Sequence, residues 1–289
     1  MRLCPIYTFR SLRLLLSLIT ILALFVPWSS HAQQRDLPHF FHSKIKPAKP
    51  DLSQYERVRF LTIVDFPPFD YLNNDGVLSG YNIDLIRAIC EDLDIVARCQ
   101  IEALPFDELQ KRLLDKGGEA IIAGLIPTMD NRQYLRFSHA YIAFPARFIG
   151  LDSNIMLEPL SDKLKGIKIG VVAKTSHEIM ARSYFPKAEV VGFKDYDTLY
   201  SAVLTGDVML GFGDGMRFSL WLSHPDNGGK AQFVGGPYLN KALLGGGMQI
   251  AVREQDENLA KAFDYSLSRL EQSGKLQELY LRYFPIGFY

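Results

Sequence analysis

Two short segments carry residues that could hold ionic groups. Gly213-Asp214-Gly215 places a lone carboxylate directly after the apolar run 208–212. At the end of a strand such an acid can pair with a cation, and in a plain turn it is a solvated aspartate. Lys174-Thr175-Ser176 follows the apolar run 167–172 and opens a helix pattern, where free backbone N–H groups and the positive end of the helix dipole attract an anion. Thr175 and Ser176 are equally ordinary helix caps, and the two roles are compatible. His177 and Glu178 are the titratable side chains beside that anion position. The glycines around Asp214 do not complete a nucleotide loop. No Cys-x-x-Cys or His-x-x-x-His occurs, and no Ser/His/Asp set or paired carboxylates identifies itself. The sequence therefore predicts no metal site, no cofactor and no catalytic residue.

The elements around these positions alternate in period. Strand patterns run over 58–64, 99–103 and 120–125, with helix patterns over 82–93 and 106–114 between them. A second series follows: strands at 167–172, 189–193 and 208–212, helices after Ser176 and over 197–204. A strand at 248–252, a helix at 257–272 and a last helix ending at Tyr283-Phe284-Pro285 close the chain. Such β-α-β alternation with fully apolar strands predicts an α/β fold of two lobes, each a largely parallel sheet flanked by helices, with ligands at the carboxyl ends of the strands.

The chain has 289 residues, 48% hydrophobic and 22% charged, with 32 basic and 32 acidic groups. That is core-forming material, and it lacks the basic surplus of a nucleic-acid surface. Arg2, Arg10 and Arg13, the apolar run 14–26, and Ser30-His31-Ala32 before Gln33 together predict a secretory signal peptide over 1–32, cleaved after Ala32, a membrane anchor being the alternative that the short apolar run disfavours. A linker follows over 33–55, in which His39 and His42 read as solvated. Cys4 lies within the signal peptide, which leaves Cys90 and Cys99 in an oxidising compartment. A helix at 83–93 and a strand from Arg98 let the chain double back between them, so a disulfide is expected, two buried thiols being the alternative.

Several motifs then arrive in a recognisable order: Phe66-Pro67-Pro68-Phe69; Gly80-Tyr81-Asn82-Ile83-Asp84-Leu85; Phe106-Asp107-Glu108-Leu109; Thr128 with an arginine soon after it; Phe137-Ser138-x-x-Tyr141; Gly206 to Asp214; and Gly245-Gly246-Gly247 to Tyr283-Phe284-Pro285. Over about 57–286 the chain resembles the extracellular solute-binding proteins of ABC importers, in the polar amino-acid-binding group. The resemblance implies a type II periplasmic-binding fold with two hinge crossings. Lobe 1 would comprise 56–149 plus 245–289, and lobe 2 residues 150–244. It also implies a small-molecule ligand, an inner-membrane ABC permease as partner, and a monomer.

Carried over residue by residue, the resemblance implies Asp214 as the acid for the ligand's ammonium group, Thr175 and Ser176 as carboxylate contacts, and Phe66 and Phe106 as aromatic walls. Two positions depart from the pattern. The clamp arginine of the family falls on Asn131, with Arg132 one place later, about 100° further round a helix. Ile126 stands where many relatives offer a hydroxyl. Either Arg132 still reaches the ligand or Asn131 faces it, and an amide cannot reproduce the two-pronged grip of a guanidinium on a carboxylate. Receptor for an importer is the leading expectation. An accessory or sensor module with altered specificity is the second, and a cyclohexadienyl-dehydratase-like enzyme, using His177 or Glu178, the third.

Overall fold

The computed structural model describes residues 49–151 and 164–289. The expected signal peptide, Cys4, His39 and His42 lie outside the described residues, as does most of the expected linker. Two five-stranded sheets carry the fold. The first runs β5 (Cys99–Ala103), β1 (Val58–Thr62), β6 (Ala120–Ile121), β13 (Ala251–Arg253), β7 (Leu135–Phe137). The second runs β10 (Glu189–Phe193), β9 (Lys168–Val172), β11 (Leu210–Asp214), β8 (Ala146–Gly150), β12 (Gln232–Tyr238). In both, three parallel neighbours are followed by one strand of opposite sense and a fifth that restores the original direction. A small antiparallel sheet of β2 (Asp65–Phe66), β3 (Asp70–Leu72) and β4 (Leu78–Ser79) sits after β1.

The central strands are apolar because both faces are covered. On β1, for example, Val58, Phe60 and Leu61 are all fully buried. Helices α1 (Tyr81–Asp92), α2 (Phe106–Leu114), α7 (Glu257–Gln272) and α8 (Lys275–Tyr283) belong to the first sheet's side of the chain. Helices α3 (Ser176–Tyr184), α4 (Tyr196–Thr205), α5 (Gly215–Ser223) and the short α6 (Lys241–Leu244) belong to the second. Each long helix buries a stripe at helical spacing, such as Leu259, Phe263, Ser266 and Leu270 on α7. Cys90 on α1 and Cys99 on β5 form a disulfide with their Cα atoms 6.2 Å apart.

Some element bounds differ from the periodic pattern. The run 120–125 pairs as a strand only over Ala120–Ile121, because the backbone turns at Gly124, whose φ is +73°. The strand expected at 208–212 lies at Leu210–Asp214, so Asp214 ends the strand rather than following it. β8 and β12, which have no clear period, were not expected. β8 pairs with β11 and β12, so the second sheet takes up the chain from Ala146, a few residues before the 149/150 boundary expected above.

Strand register decides how the two sheets face each other. The first crossing leaves the carboxyl end of β7 and enters β8 at Ala146, opposite Asp214 at the carboxyl end of β11. The second leaves β12 at Tyr238, also opposite Ala146, and enters β13 at Ala251, opposite Phe137 at the carboxyl end of β7. Both crossings therefore join the carboxyl rim of one sheet to the carboxyl rim of the other. They are bonded to each other: Met248 N–H donates to Ile142 O at 2.8 Å, Ser138 N–H to Ile250 O at 2.8 Å, and Ile250 N–H to Ser138 Oγ at 2.9 Å. The carboxyl-terminal segment makes a third link. Phe284 and Phe288 are fully buried in the first lobe's core, Ile286 packs against the second lobe's Phe218 and Leu222 cluster, and Ser219 Oγ donates to Ile286 O.

Candidate functional site

The second lobe's carboxyl rim is built from three strand-to-helix turns, each closed by a side-chain cap. Thr175 Oγ1 accepts from Glu178 N–H at 3.3 Å, Asp195 Oδ1 from Thr198 N–H at 2.9 Å, and Asp214 Oδ1 from Arg217 N–H at 2.9 Å. Lys174 takes the left-handed region, φ +62°, which reverses the chain between β9 and α3. Its N–H donates to Glu178 Oε2 at 2.8 Å, and Thr175 Oγ1 donates to Val172 O at 2.7 Å. With these bonds the turn is rigid, and the first-turn N–H groups of Ser176 and His177 are the ordinary unsatisfied donors of a helix start. Because β9 and β11 are parallel neighbours with Gly170 opposite Gly211, the start of α3 and Asp214 share one rim.

His177 stands in the electric field of Asp214. Burial pushes the imidazole below its ordinary range while the nearby carboxylate pulls it up, and burial prevails. Tyr196, at the start of α4, lines the same rim: its hydroxyl accepts from Asp214 N–H at 3.3 Å, the Arg217 guanidinium lies 5.1 Å from its ring centre, and burial raises its pKa. The sequence alone offers His177 as an acid or base for an enzyme and does not single out Tyr196. A polar residue at each strand-to-helix turn is the signal that could have found them. This rim can hold a cation at the Asp214 carboxylate and an anion or acceptor at the first turn of α3.

The first lobe's rim is different in kind. Phe66, half-buried on β2, stacks on the buried Phe69 with ring centres 5.0 Å apart. A Cβ on Gly124 would stand 3.3 Å from the Phe66 ring, so glycine there lets the loop after β6 close over the aromatic. Phe106 begins α2 and is 52% exposed. Ile126 is 66% exposed on the loop after β6.

Asn131 differs from the expectation of a direct ligand contact. It is buried, its Oδ1 accepts from Thr128 N–H at 2.8 Å, its Nδ2 donates to Ile126 O at 2.9 Å, and its own N–H donates to Thr128 Oγ1 at 3.1 Å. The amide is thus bonded at both its oxygen and its nitrogen to its own loop. Arg132 is exposed, its guanidinium 5.8 Å from the Phe137 ring centre, and it makes no ion pair among the described residues. The structure therefore brings Thr175, Ser176 and Asp214 together on one rim, with Phe66, Phe106 and Ile126 on the other. No group of His, Cys, Asp or Glu among the described residues could hold a metal ion, and no described helix is long and apolar enough to cross a membrane.

The comparisons with known proteins agree with this architecture. Residues 58–286 match the model of the bacterial extracellular solute-binding proteins, family 3. The histidine-binding periplasmic protein of Escherichia coli K12 is 27% identical over 238 residues, covering 81% of this chain and 90% of that protein. The unliganded open L-cystine solute receptor of Neisseria gonorrhoeae is similar in fold, with a TM-score of 0.66, 18% identity, and coverage of 79% of this chain and 92% of that one. An ancestral cyclohexadienyl dehydratase is similar in fold to nearly the same degree, with a TM-score of 0.65, 18% identity, and coverage of 80% and 93%. At that identity the two structures speak to fold alone, a two-lobe type II periplasmic-binding fold. With the family match spanning most of its length and the strand order repeated in both lobes, the chain belongs to the bacterial extracellular solute-binding proteins, family 3.

Proposed function

We propose that this protein is a periplasmic receptor that captures an amino acid or a close analogue between its lobes and delivers it to an ABC permease. One observation carries the reading: Asp214 and the open first turn of α3 occupy the same rim of the second sheet. A carboxylate for an ammonium group and a helix start for a carboxylate are the two halves of a receptor for a zwitterion. The histidine-binding relative supports the ligand class. Domain movement about the paired crossings would follow from the ligand's greater affinity for the closed form. The receptor acts as a monomer and is exported by its amino-terminal signal.

A thermal-shift screen of purified protein, freed of co-purified ligand, against amino acids, polyamines and small organic acids tests this. A ligand at about 100 times its Kd stabilises the folded state by about 2.7 kcal/mol. The expected result is a rise in Tm with at least one amino acid. A second reading, an accessory or sensor module acting through a protein partner, is favoured by the engagement of Asn131 in its own loop and the placement of Arg132 on Phe137. It predicts no shift with any amino acid in folded protein. Turnover of a cyclohexadienyl acid would instead establish an enzyme, with His177 the group to test.

A further inference from the structure

We propose that the segment from Phe284 to Tyr289 is a strap that acts as a third hinge link, holding the two lobes at one pivot and restricting their relative movement to bending about it. On the first lobe's side the strap is anchored twice. The Phe284 ring centre lies 5.7 Å from that of Phe69 and 5.3 Å from that of Tyr280. Phe288, fully buried, lies 5.1 Å from the Tyr280 ring centre, and its N–H donates to Tyr280 Oη at 2.6 Å. Between these anchors the chain reaches the second lobe. Ile286 packs against the cluster of Phe218 and Leu222, and its carbonyl accepts from the buried hydroxyl of Ser219 on α5. The chain then meets the first crossing, where Tyr289 Oη accepts from Ala143 N–H at 2.8 Å and donates to Ala143 O. Ala143 follows Ile142, whose carbonyl takes the Met248 N–H of the second crossing. One short segment thus touches both lobes and bonds the residue beside the joint of the two crossings.

Chain length keeps this link tight. Ile286 stands two positions from Phe284 and two from Phe288. An extended chain spans at most about 3.6 Å per residue, so the second-lobe anchor lies within about 7 Å of either first-lobe anchor. Gly215, next to Asp214, is held at the same place. Its N–H donates to Pro145 O at 2.9 Å, and a Cβ there would stand 2.8 Å from Pro145 O and 3.3 Å from Phe288 Cβ. The start of α5 therefore packs against both the strap and the end of the first crossing. Two crossings alone let lobes twist as well as bend. A third link beside them opposes the twist and costs little against bending, because contacts close to a pivot move least. The strand edges farthest from the crossings, β5 and β10, then sweep the largest arc, and Asp214 meets the first lobe along one path. This device belongs to the fold and would operate whatever the lobes enclose.

Electron–electron distance measurement on unliganded protein reads the movement, with spin labels at Lys111→Cys on α2 and Ser201→Cys on α4, both exposed. These helices follow β5 and β10, and the disulfide keeps Cys90 and Cys99 from taking label. Ser219→Ala with Ile286→Ala severs the strap from the second lobe. The inter-lobe distance distribution should broaden and extend by several ångströms, while a pair within the second lobe, Ser201→Cys with Lys230→Cys, keeps its wild-type distribution. Tyr289→Phe frees the strap from Ala143 and leaves both cores intact. It should act in the same direction to a smaller extent, and it decides the matter if the first variant does not fold. An unchanged inter-lobe distribution in folded variants overturns the proposal. Equal broadening within the second lobe also overturns it, since that marks a loosened lobe and not a loosened pivot. Protein that binds no amino acid yet shows the expected broadening refutes the receptor reading and supports the strap.

Discussion

The two lobes repeat one strand order, yet their carboxyl rims are chemically opposite. In the second lobe, Thr175, Asp195 and Asp214 each cap the helix that follows their turn, so polar side chains are gathered where the strands end. In the first lobe, α1 and α2 begin after Gly80 and Pro105 with no side-chain cap, and Phe66, Phe106 and Ile126 occupy the rim instead. The same topology thus offers one face to ions and the other to apolar surface. The lobes also differ in how they are braced. The first holds a disulfide from α1 to β5 and a buried polar network, while in the second helix caps fasten the turns. Topology is common to both rims, and the turn residues make the difference between them.

The contrast breaks most completely at Asp214. Asp214→Ala should weaken an amine-bearing ligand by about 100-fold or more by leaving its ammonium group unpaired, as read by calorimetry. The cap is lost as well, which costs about 1 kcal/mol of stability. Asp214→Asn separates the two effects, since it retains a capping oxygen and should keep Tm while still losing affinity. Unchanged affinity in both variants would remove Asp214 from the site.

Bracing of the first lobe is tested by Cys90→Ala with Cys99→Ala. Losing the crosslink should cost about 2–4 kcal/mol in urea unfolding, and free-thiol counting on the unreduced, denatured wild type should find neither thiol. Gly124→Ala adds a Cβ 3.3 Å from the Phe66 ring at a positive φ. A stability loss of about 1 kcal/mol is expected, with ligand affinity falling as the aromatic moves. The corresponding glycines of the second rim, Gly213 and Gly215, flank Asp214 at negative φ and serve close packing rather than a turn.

A further effect concerns pH and belongs to the buried polar network of the first lobe. Asp70 is buried, with Thr62 Oγ1 at 2.6 Å and Asn82 Nδ2 at 2.6 Å, while Tyr141 donates to Asn82 Oδ1 at 2.9 Å. Thr62 Oγ1 also lies 2.9 Å from Ile122 O, so its single hydrogen faces two acceptors. A proton on Asp70 resolves this: the carboxyl donates to Thr62, which donates to Ile122 O. Burial pushes the Asp70 pKa up to about 7 against these bonds. The folded state then binds the proton more tightly than the unfolded chain, so this contribution is fully present below about pH 4 and is lost as pH rises through about 7. Tm should therefore fall from pH 4 to 7 through this group, and Asp70→Asn should flatten that slope in thermal melts.

Much of the scaffold was legible along the chain because buried strands and amphipathic helices leave periodic marks. The helices Phe106–Leu114 and Glu257–Gln272 and the strands Cys99–Ala103 and Glu189–Phe193 lie where the pattern places them. β8 and β12 lack a clear pattern because Arg147 interrupts the apolar residues of the one and Gly235-Gly236-Pro237 breaks the other. In the site, Asp214 and Thr175 could be found because caps and strand ends have local signatures. The fate of Asn131 could not. Whether an amide faces a ligand or its own loop depends on the fold of 126–131, and a motif register records only that the residue is not arginine.

Residue types and spacing by themselves determined the α/β alternation, the two cysteines close enough to pair, the acid after an apolar run and the helix start after Val172, since each is a property of a few consecutive residues. Tertiary structure decided the rest. Long-range register turned both crossings rim to rim, brought α3 beside β11, set the carboxyl-terminal Ile286 against the other lobe, and turned the Asn131 side chain back onto the Ile126 carbonyl. These are relations between segments far apart in the chain or between a side chain and a folded loop, and they come into being only when the backbone hydrogen bonds and the core are satisfied together.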